Sequence, residues 1–370
     1  MLSPVMHFSA TCIRDPKCVF TPESADDVSE AVRVIGEIRS PFAVIGGGHN
    51  TVEGAANIDY GVLISMARLD TLELVEKDAM QVRIGTGNLW KDAYKFAKDH
   101  GYAINGGRYG QIGVGGLTLG GGIGLFSSML GFTADSVMEF ELVLANGDLV
   151  VANHETRSDL FWALKGGTNW FGIVTRIDIE TIKAPEGTWF GIKGWKWTQE
   201  VQEPWFDALA AYMAPGGGVE DTRATLMPVI QGFPAARFYG AGTIQFFAAP
   251  ERHPEPFKDF ENIEVDKLLH LGGIVPWTFF PFAPDFPMWV GFPRRLYWAV
   301  SFKPEREAIC IANATIFSLA EEMVGHIPKC TVGITYQPIS KDFLQASVNK
   351  GGNAISLTPE DGPLFGKSAS

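Results

Sequence analysis

The hexapeptide Ile45-Gly46-Gly47-Gly48-His49-Asn50 sets one chemically versatile side chain at the end of three consecutive glycines. An imidazole leaving such a loop can act as a base, a metal ligand or a nucleophile. Each glycine loses more backbone freedom on folding than any other residue, so three in a row suit a place where the chain must approach another group closely. Their amides can also face a phosphate. The same residues equally suit an ordinary strand-end turn with a satisfied histidine, because Gly and Asn dominate turns.

A second cluster runs from Gly106 to Gly124, with ten glycines in nineteen residues. Ile112, Val114, Leu117, Leu119 and Ile123 are interleaved with them, which predicts a packed segment; a flexible linker would carry Ser and other small polar residues. Backbone amides without side chains are what a pyrophosphate or a flat aromatic ring needs to lie against the chain. No G-x-G-x-x-G follows a strand and opens a helix, so a Rossmann dinucleotide site is unsupported. Gly366-Lys367-Ser368 echoes the end of a phosphate loop, but Asp361 stands where its first glycine is required.

Metal chemistry finds no pattern. His7, His100, His154, His253, His270 and His326 show no i, i+4 pairing and are predicted to be surface or capping residues. Cys12, Cys18, Cys310 and Cys330 form no C-x-x-C; pairing of Cys12 with Cys18 and of Cys310 with Cys330 stays open. Asn313-Ala314-Thr315 is the one glycosylation sequon.

The elements that must carry these residues alternate between strand and helix. Ser24-x-x-Asp27 predicts a capping box, followed by a helix with Val28, Ala31, Val32, Ile35 and Ile38 on one face. Strands are expected at Phe42–Ile45, Val62–Met66 and Met80–Gly85. Asn88 is placed to cap a helix bearing Leu89, Ala93, Phe96 and Ala97 that Gly101 ends. Asn146-Gly147 between Glu139–Ala145 and Asp148–Ala152 predicts a hairpin with a type I′ turn. Gly172–Ile182 reads as a further strand. Beyond Pro185 come clustered tryptophans (Trp189, Trp195, Trp197, Trp205), strands at Ala224–Val229 and Phe238–Phe247, and a helix over Glu305–Gly325 with Ile309, Ala312, Ile316, Leu319 and Met323 on one face. Pro276–Pro293, rich in Pro, Phe and Trp, is either loop packing or the wall of an apolar pocket. The fold class is α+β with mixed pairing, in two domains, 15–185 and 186–370.

Composition narrows the partners. At 370 residues, 46% hydrophobic with 26 Phe and 10 Trp, the chain can build two substantial cores. A net charge of −12 and the lack of a basic run argue against nucleic acid. No stretch has the length and apolarity of a membrane-spanning helix, and Met1–Lys17 does not read as a signal peptide. Neither oligomeric state nor compartment follows from these features.

Taken in order, the motifs resemble those of the flavin-linked oxidases of the p-cresol methylhydroxylase and vanillyl-alcohol oxidase superfamily, in the branch of berberine bridge enzyme and 6-hydroxy-D-nicotine oxidase. The resemblance runs continuously from about Cys18 to Ile182. It is carried by Cys18-Val19-Phe20-Thr21-Pro22, Gly46–Asn50, Gly85-Thr86-Gly87-Asn88-Leu89-Trp90, Gly113–Gly124, Gly131-Phe132-Thr133-Ala134-Asp135, Asp159–Gly167 and Asn169-Trp170-Phe171-Gly172-Ile173-Val174-Thr175.

The resemblance implies a two-subdomain FAD-binding domain followed by a mixed-sheet substrate domain. Gly46, Gly47, Gly48, His49 and Asn50 would cradle the pyrophosphate, with His49 attached covalently to the flavin 8α-methyl carbon. Gly113, Gly115, Gly116, Gly120 and Gly122 match the second FAD-contacting segment, and Gly172, Ile173 and Val174 the strand near the adenine. Some relatives carry a second anchoring cysteine where this chain has Tyr109, so one covalent link is expected. The implied reaction is oxidation of a small, largely apolar organic molecule, of the kind found in secondary metabolism, with dioxygen as the acceptor. Tyr109 is the candidate catalytic residue, with Tyr297 and Tyr336 as further phenols; each also suits plain packing. Relatives typically continue beyond Ser370 with an Asn-Tyr segment over the flavin. A short chain therefore keeps alive two other readings, a flavoprotein supporting a cyclisation and an inactive FAD-binding protein.

Overall fold

The computed structural model describes residues 7–75, 80–281 and 294–369, and statements about structure refer to these. They divide into two compact units. The first takes in the described residues of Met1–Ala184, Thr278–Leu296 and Ser347–Ser356; the second takes in those of Pro185–Trp277, Tyr297–Ala346 and Leu357–Ser370.

The first unit holds a three-stranded parallel sheet of Cys18–Phe20, Val62–Ser65 and Phe42–Ile45, with Val62–Ser65 in the middle. Ala43, Ile45, Leu63 and Ile64 are all buried, as parallel strands covered on both faces require. The helix Ala25–Ile38 crosses between the strands and starts at the predicted box: Ser24 Oγ accepts the Asp27 amide, and Asp27 Oδ2 accepts the Ser24 amide. Val28, Val32 and Ile35 pack against Ile64, Met66, Leu69 and Val143. Ile38 does not join them and is 67% exposed. Arg39 turns left-handed directly after it and ends the helix.

A five-stranded antiparallel sheet completes this unit, in the order Leu72–Leu74, Gln81–Gly85, Ile173–Glu180, Val137–Val143, Leu149–Asn153. Val82 and Ile84 are buried as their alternation predicts, while Met80 lies outside the strand at a positive φ and is exposed. The Asn146-Gly147 hairpin forms with a different turn. Leu144 donates to Asp148 O and Gly147 to Leu144 O, with only Gly147 left-handed. This is the three-residue loop with a left-handed glycine rather than type I′. Asn146 Oδ1 accepts the Asp148 amide, and Ser29 and Arg33 both donate to Gly147 O, which favours this geometry. Asn88 does not cap the helix Trp90–Asp99; its amide donates to Gly85 O and Thr71 O, and Leu89 takes the cap position.

The second unit is built on a seven-stranded sheet ordered Lys267–Val275, Thr188–Lys196, Phe238–Phe247, Ala224–Phe233, Val332–Ile339, Leu364–Ala369, Trp298–Phe302. Every neighbouring pair is antiparallel. The mixed pairing of this α+β chain is thus divided between its sheets. Trp189, Trp195 and Tyr336 from the sheet meet Trp205 of the helix Gln199–Met213 and Ile309 and Phe317 of the helix Arg306–Val324 in one aromatic core.

The helix Arg306–Val324 buries Ile309, Asn313, Phe317 and Ala320. Its packed face is rotated from the predicted one, because the large ring of Phe317 takes the core position; Leu319 and Met323 are exposed. Burial of Asn313 removes the sequon from the surface a glycan needs. All four cysteines are free thiols. His7 is buried and hydrogen-bonded to Asn57, against the surface position expected for it. Of the aromatic stretch Pro276–Pro293, Trp277 and Phe280 are buried, and residues 282–293 lie outside the described residues.

Candidate cofactor site

The strand Phe42–Ile45 delivers the loop Gly46–Asn50 to the start of the second glycine segment. A β-carbon on Gly47 would lie 2.4 Å from Gly113 N, and one on Gly113 would lie 2.5 Å from Gly47 N. Only glycine at both positions lets the two backbones touch. Thr86 sits beside this contact, 3.6 Å from where a β-carbon of Gly46 would be, and 3.2 Å from that of Gly115. Its buried hydroxyl donates to Val174 O at 2.8 Å, and its amide donates to Thr175 O. Gly172, Ile173 and Val174 enter the same region along the strand Ile173–Glu180, where Ile173 pairs with Val143 and Val174 with Leu142. Three stretches of sequence, Gly46–Asn50, Gly113–Gly116 and the start of that strand, therefore meet around Thr86.

Beyond Gly113 the chain forms the helix Val114–Leu119, burying Val114, Gly115, Thr118 and Leu119. Gly116 and Gly120, one turn apart, face outward. A β-carbon on Gly116 would meet nothing within 4 Å; one on Gly120 would meet only carbonyl oxygens of its own segment, at 3.5 and 3.7 Å. The result is a stripe of bare backbone. Gly121 and Gly122 follow in the left-handed region, and their carbonyls accept the Ala134 and Thr133 amides.

His49 is stacked on Phe8, with ring centroids 4.0 Å apart and 13° between the planes. Arg295 lies over the Phe8 ring, its Cζ 4.1 Å from the centroid. Phe8 is held by its amide, which donates to Gly48 O, and Arg295 by its amide, which donates to Ser9 Oγ. Burial, and then the Arg295 charge, push the His49 imidazole down to about 4. At neutral pH the ring is therefore uncharged, the form in which an imidazole can bond an electrophile or take up a proton. Asn50 serves the loop itself, its Oδ1 accepting the Val52 amide.

Tyr109 is half-buried and packs against Phe280, 5.3 Å between centroids. Tyr336 is sealed in the aromatic core of the second unit, where burial pushes its phenol well up and its hydroxyl finds no partner among the described residues. That environment opposes proton exchange. Tyr297, half-exposed, also belongs to the second unit. Sequence reasoning did not single out Phe8 or Arg295, which bear on His49 from distant positions with no local pattern. Thr86 stood in the motif Gly85–Trp90 with no role assigned to it. Among the described residues no group of three or more His, Cys, Asp or Glu is arranged to hold a metal.

Comparison with known proteins adds the following. The family model described as FAD binding domain matches residues 16–153. The FAD-dependent monooxygenase prx3 of Penicillium roqueforti is 34% identical over 360 residues, covering 95% of this chain and 68% of that protein. The bifunctional solanapyrone synthase of Alternaria solani is 40% identical over 261 residues, 70% of this chain and 48% of that one. Among solved structures, glucooligosaccharide oxidase from Acremonium strictum, studied for its 6-S-cysteinyl, 8α-N1-histidyl FAD, shares the fold with a TM-score of 0.77 at 19% identity, over 98% of this chain and 76% of that chain.

Two measurements probe this geometry. Gly116→Ala adds a methyl group to open space in a helix, where Ala is favoured over Gly by about 1 kcal/mol. The variant is expected to unfold no earlier than the parent yet to bind FAD more weakly; unchanged affinity would remove Gly116 from the site. An NMR titration of the His49 ring is expected to give a midpoint of about 4, raised by Arg295→Ala. Between the ordinary value of 6.5 and about 4 the unfolded chain binds more protons than the folded one, so this group's contribution to stability falls as pH drops through that window. A midpoint near 6.5 would contradict the stacked, desolvated ring.

Proposed function

The chain belongs to the FAD-linked oxidoreductases of the p-cresol methylhydroxylase and vanillyl-alcohol oxidase superfamily, and on that premise we propose that it oxidises a small, largely apolar organic molecule with dioxygen as the final acceptor. The observation that carries this reading is the Gly47–Gly113 contact, which sets a side-chain-free strip of backbone beside a neutral histidine. These residues fit FAD. A β-carbon on Gly116 would stand in the open space that the cofactor needs, and the loop amides carry no side chain that would keep a pyrophosphate away. When bound, FAD supplies a hydride acceptor at N5 that dioxygen restores.

The chain's own residues divide the remaining work. Gly46, Gly47, Gly48 and Asn50 hold the pyrophosphate through the loop backbone. Gly113, Gly115, Gly116, Gly120 and Gly122 line the second edge, and Gly172, Ile173 and Val174 the adenine end. His49 anchors the flavin at its 8α carbon; an uncharged imidazole is the form that can make that bond, and the histidyl flavin of glucooligosaccharide oxidase supports the assignment. Tyr109 leaves His49 as the single anchor and stands as the proton-transfer residue.

An apolar substrate is supported by one face of the seven-stranded sheet in the second unit, the face opposite its aromatic core. Phe190, Ile192, Met227, Ile244, Leu269 and Leu271 share that face through the strand registers. The likeness to solanapyrone synthase supports a secondary metabolite.

Three outcomes test the reading. Acid precipitation is expected to leave yellow flavin in the pellet, and His49→Ala to release it to the supernatant; flavin lost from the wild type in acid would end the covalent assignment. Tyr109→Phe is expected to keep its flavin and lose about a hundredfold in kcat, the lower end of what general acid–base catalysis contributes. Anaerobic mixing with substrate is expected to bleach the flavin. Turnover with an unbleached spectrum would instead favour the cyclisation reading.

A further inference from the structure

Ser347–Ser356 returns to the first unit long after the glycine segments have been laid down. Its contacts there are specific. Asn353 is buried, and its Nδ2 donates to Asp135 Oδ1 and to Ser347 Oγ, each at 2.8 Å, while its Oδ1 accepts the Ile355 amide at 3.0 Å. Asp135 is also buried, and its second oxygen accepts the Phe132 amide at 2.8 Å. That carboxylate thereby fixes the turn Thr133–Ser136, whose Thr133 and Ala134 amides donate to the Gly122 and Gly121 carbonyls. A continuous hydrogen-bonded path leads from Asn353 to the glycine turn, 218 residues upstream at Asp135.

Ile355 supplies a second, apolar contact. Its Cδ1 lies 2.5 Å from the β-carbon position of Gly121, and its Cγ1 lies 2.6 Å from that of Gly166. Both glycines are left-handed, at φ +96 and +104. The isoleucine is therefore wedged between two backbones that have no side chains to yield. Gly166 in turn donates to Leu119 O, the last residue of the helix that carries Gly116, and the Ala354 amide donates to Lys165 O at 2.8 Å.

We propose that Asn353 and Ile355 are positioning residues for the flavin cradle, holding the Gly120–Gly122 turn in the shape that accepts FAD. The inference rests on the reading that the Gly113–Gly122 segment contacts the cofactor, and it extends that reading to a stretch which touches none of the assigned residues in sequence. Removing Asn353 leaves a buried carboxylate oxygen without its donor, and trimming Ile355 opens space against a backbone free to collapse into it.

The test measures FAD dissociation constants by flavin fluorescence on the full chain carrying His49→Ala, so that binding is reversible. Thermal unfolding is followed in parallel. Ile355→Ala and Asn353→Ala are expected to weaken FAD binding by about tenfold, equivalent to about 1.4 kcal/mol. Ile355→Val loses only the methyl that reaches Gly121, keeps the fold, and is expected to fall between wild type and Ile355→Ala. Ile35→Ala, in the helix Ala25–Ile38 and more deeply buried than Ile355, serves as the control: it should lower the unfolding temperature and leave FAD affinity unchanged. Constants that stay flat across Ile355, Val and Ala while stability falls would overturn the positioning role. If Gly116→Ala also leaves affinity unchanged, the cradle assignment itself has failed; if it alone weakens binding, only the role of Asn353 and Ile355 has.

Discussion

Gly47 and Gly113 touch backbone to backbone, with no room for a β-carbon on either. Much of the first unit follows from that contact. It requires a strand that ends at Ile45, a loop without side chains, and a second segment whose first residue is a glycine. It also fixes where the helix Val114–Leu119 begins, and hence that Gly116 and Gly120 face outward as bare backbone. Thr86 ties the arrangement to the antiparallel sheet through Val174 and Thr175. A methyl group at either contact position would part the two segments.

The electrostatics of this region follow from its packing. A histidine at the end of an exposed loop would titrate in the usual range. Here Phe8 covers one face of the His49 ring, and Arg295 lies beyond Phe8, so desolvation and a nearby cation act in the same direction. The outcome is a nitrogen that stays unprotonated over the whole physiological range. Such a group suits attachment to an electrophilic carbon, which protonation would prevent.

Signals that are local in sequence were legible. Both glycine clusters, the Ser24–Asp27 box, the strands flanking the loop and the alternation of Val82 and Ile84 all depend on residues within a few positions of one another. Other features depend on distant partners and left no such trace. The turn at Asn146-Gly147 took its three-residue form with Ser29 and Arg33 bonded to Gly147 O. The helix Arg306–Val324 presents Phe317 rather than Leu319, a choice made by the aromatic core it meets. Phe8, Arg295, Asn353 and Ile355 reach the glycine segments from both ends of the chain, and no periodicity or motif could assign them.

The central claim is that Gly46–Asn50 and Gly113–Gly122 form one cradle for a single FAD. Amide hydrogen exchange of the full chain, with and without FAD, tests it directly. The account predicts that FAD slows exchange in both segments together, over the same concentration range, with little change in the strands Leu149–Asn153 and Leu72–Leu74 at the edges of the five-stranded sheet. Slowing confined to one segment, or appearing in neither while FAD is bound, would contradict it.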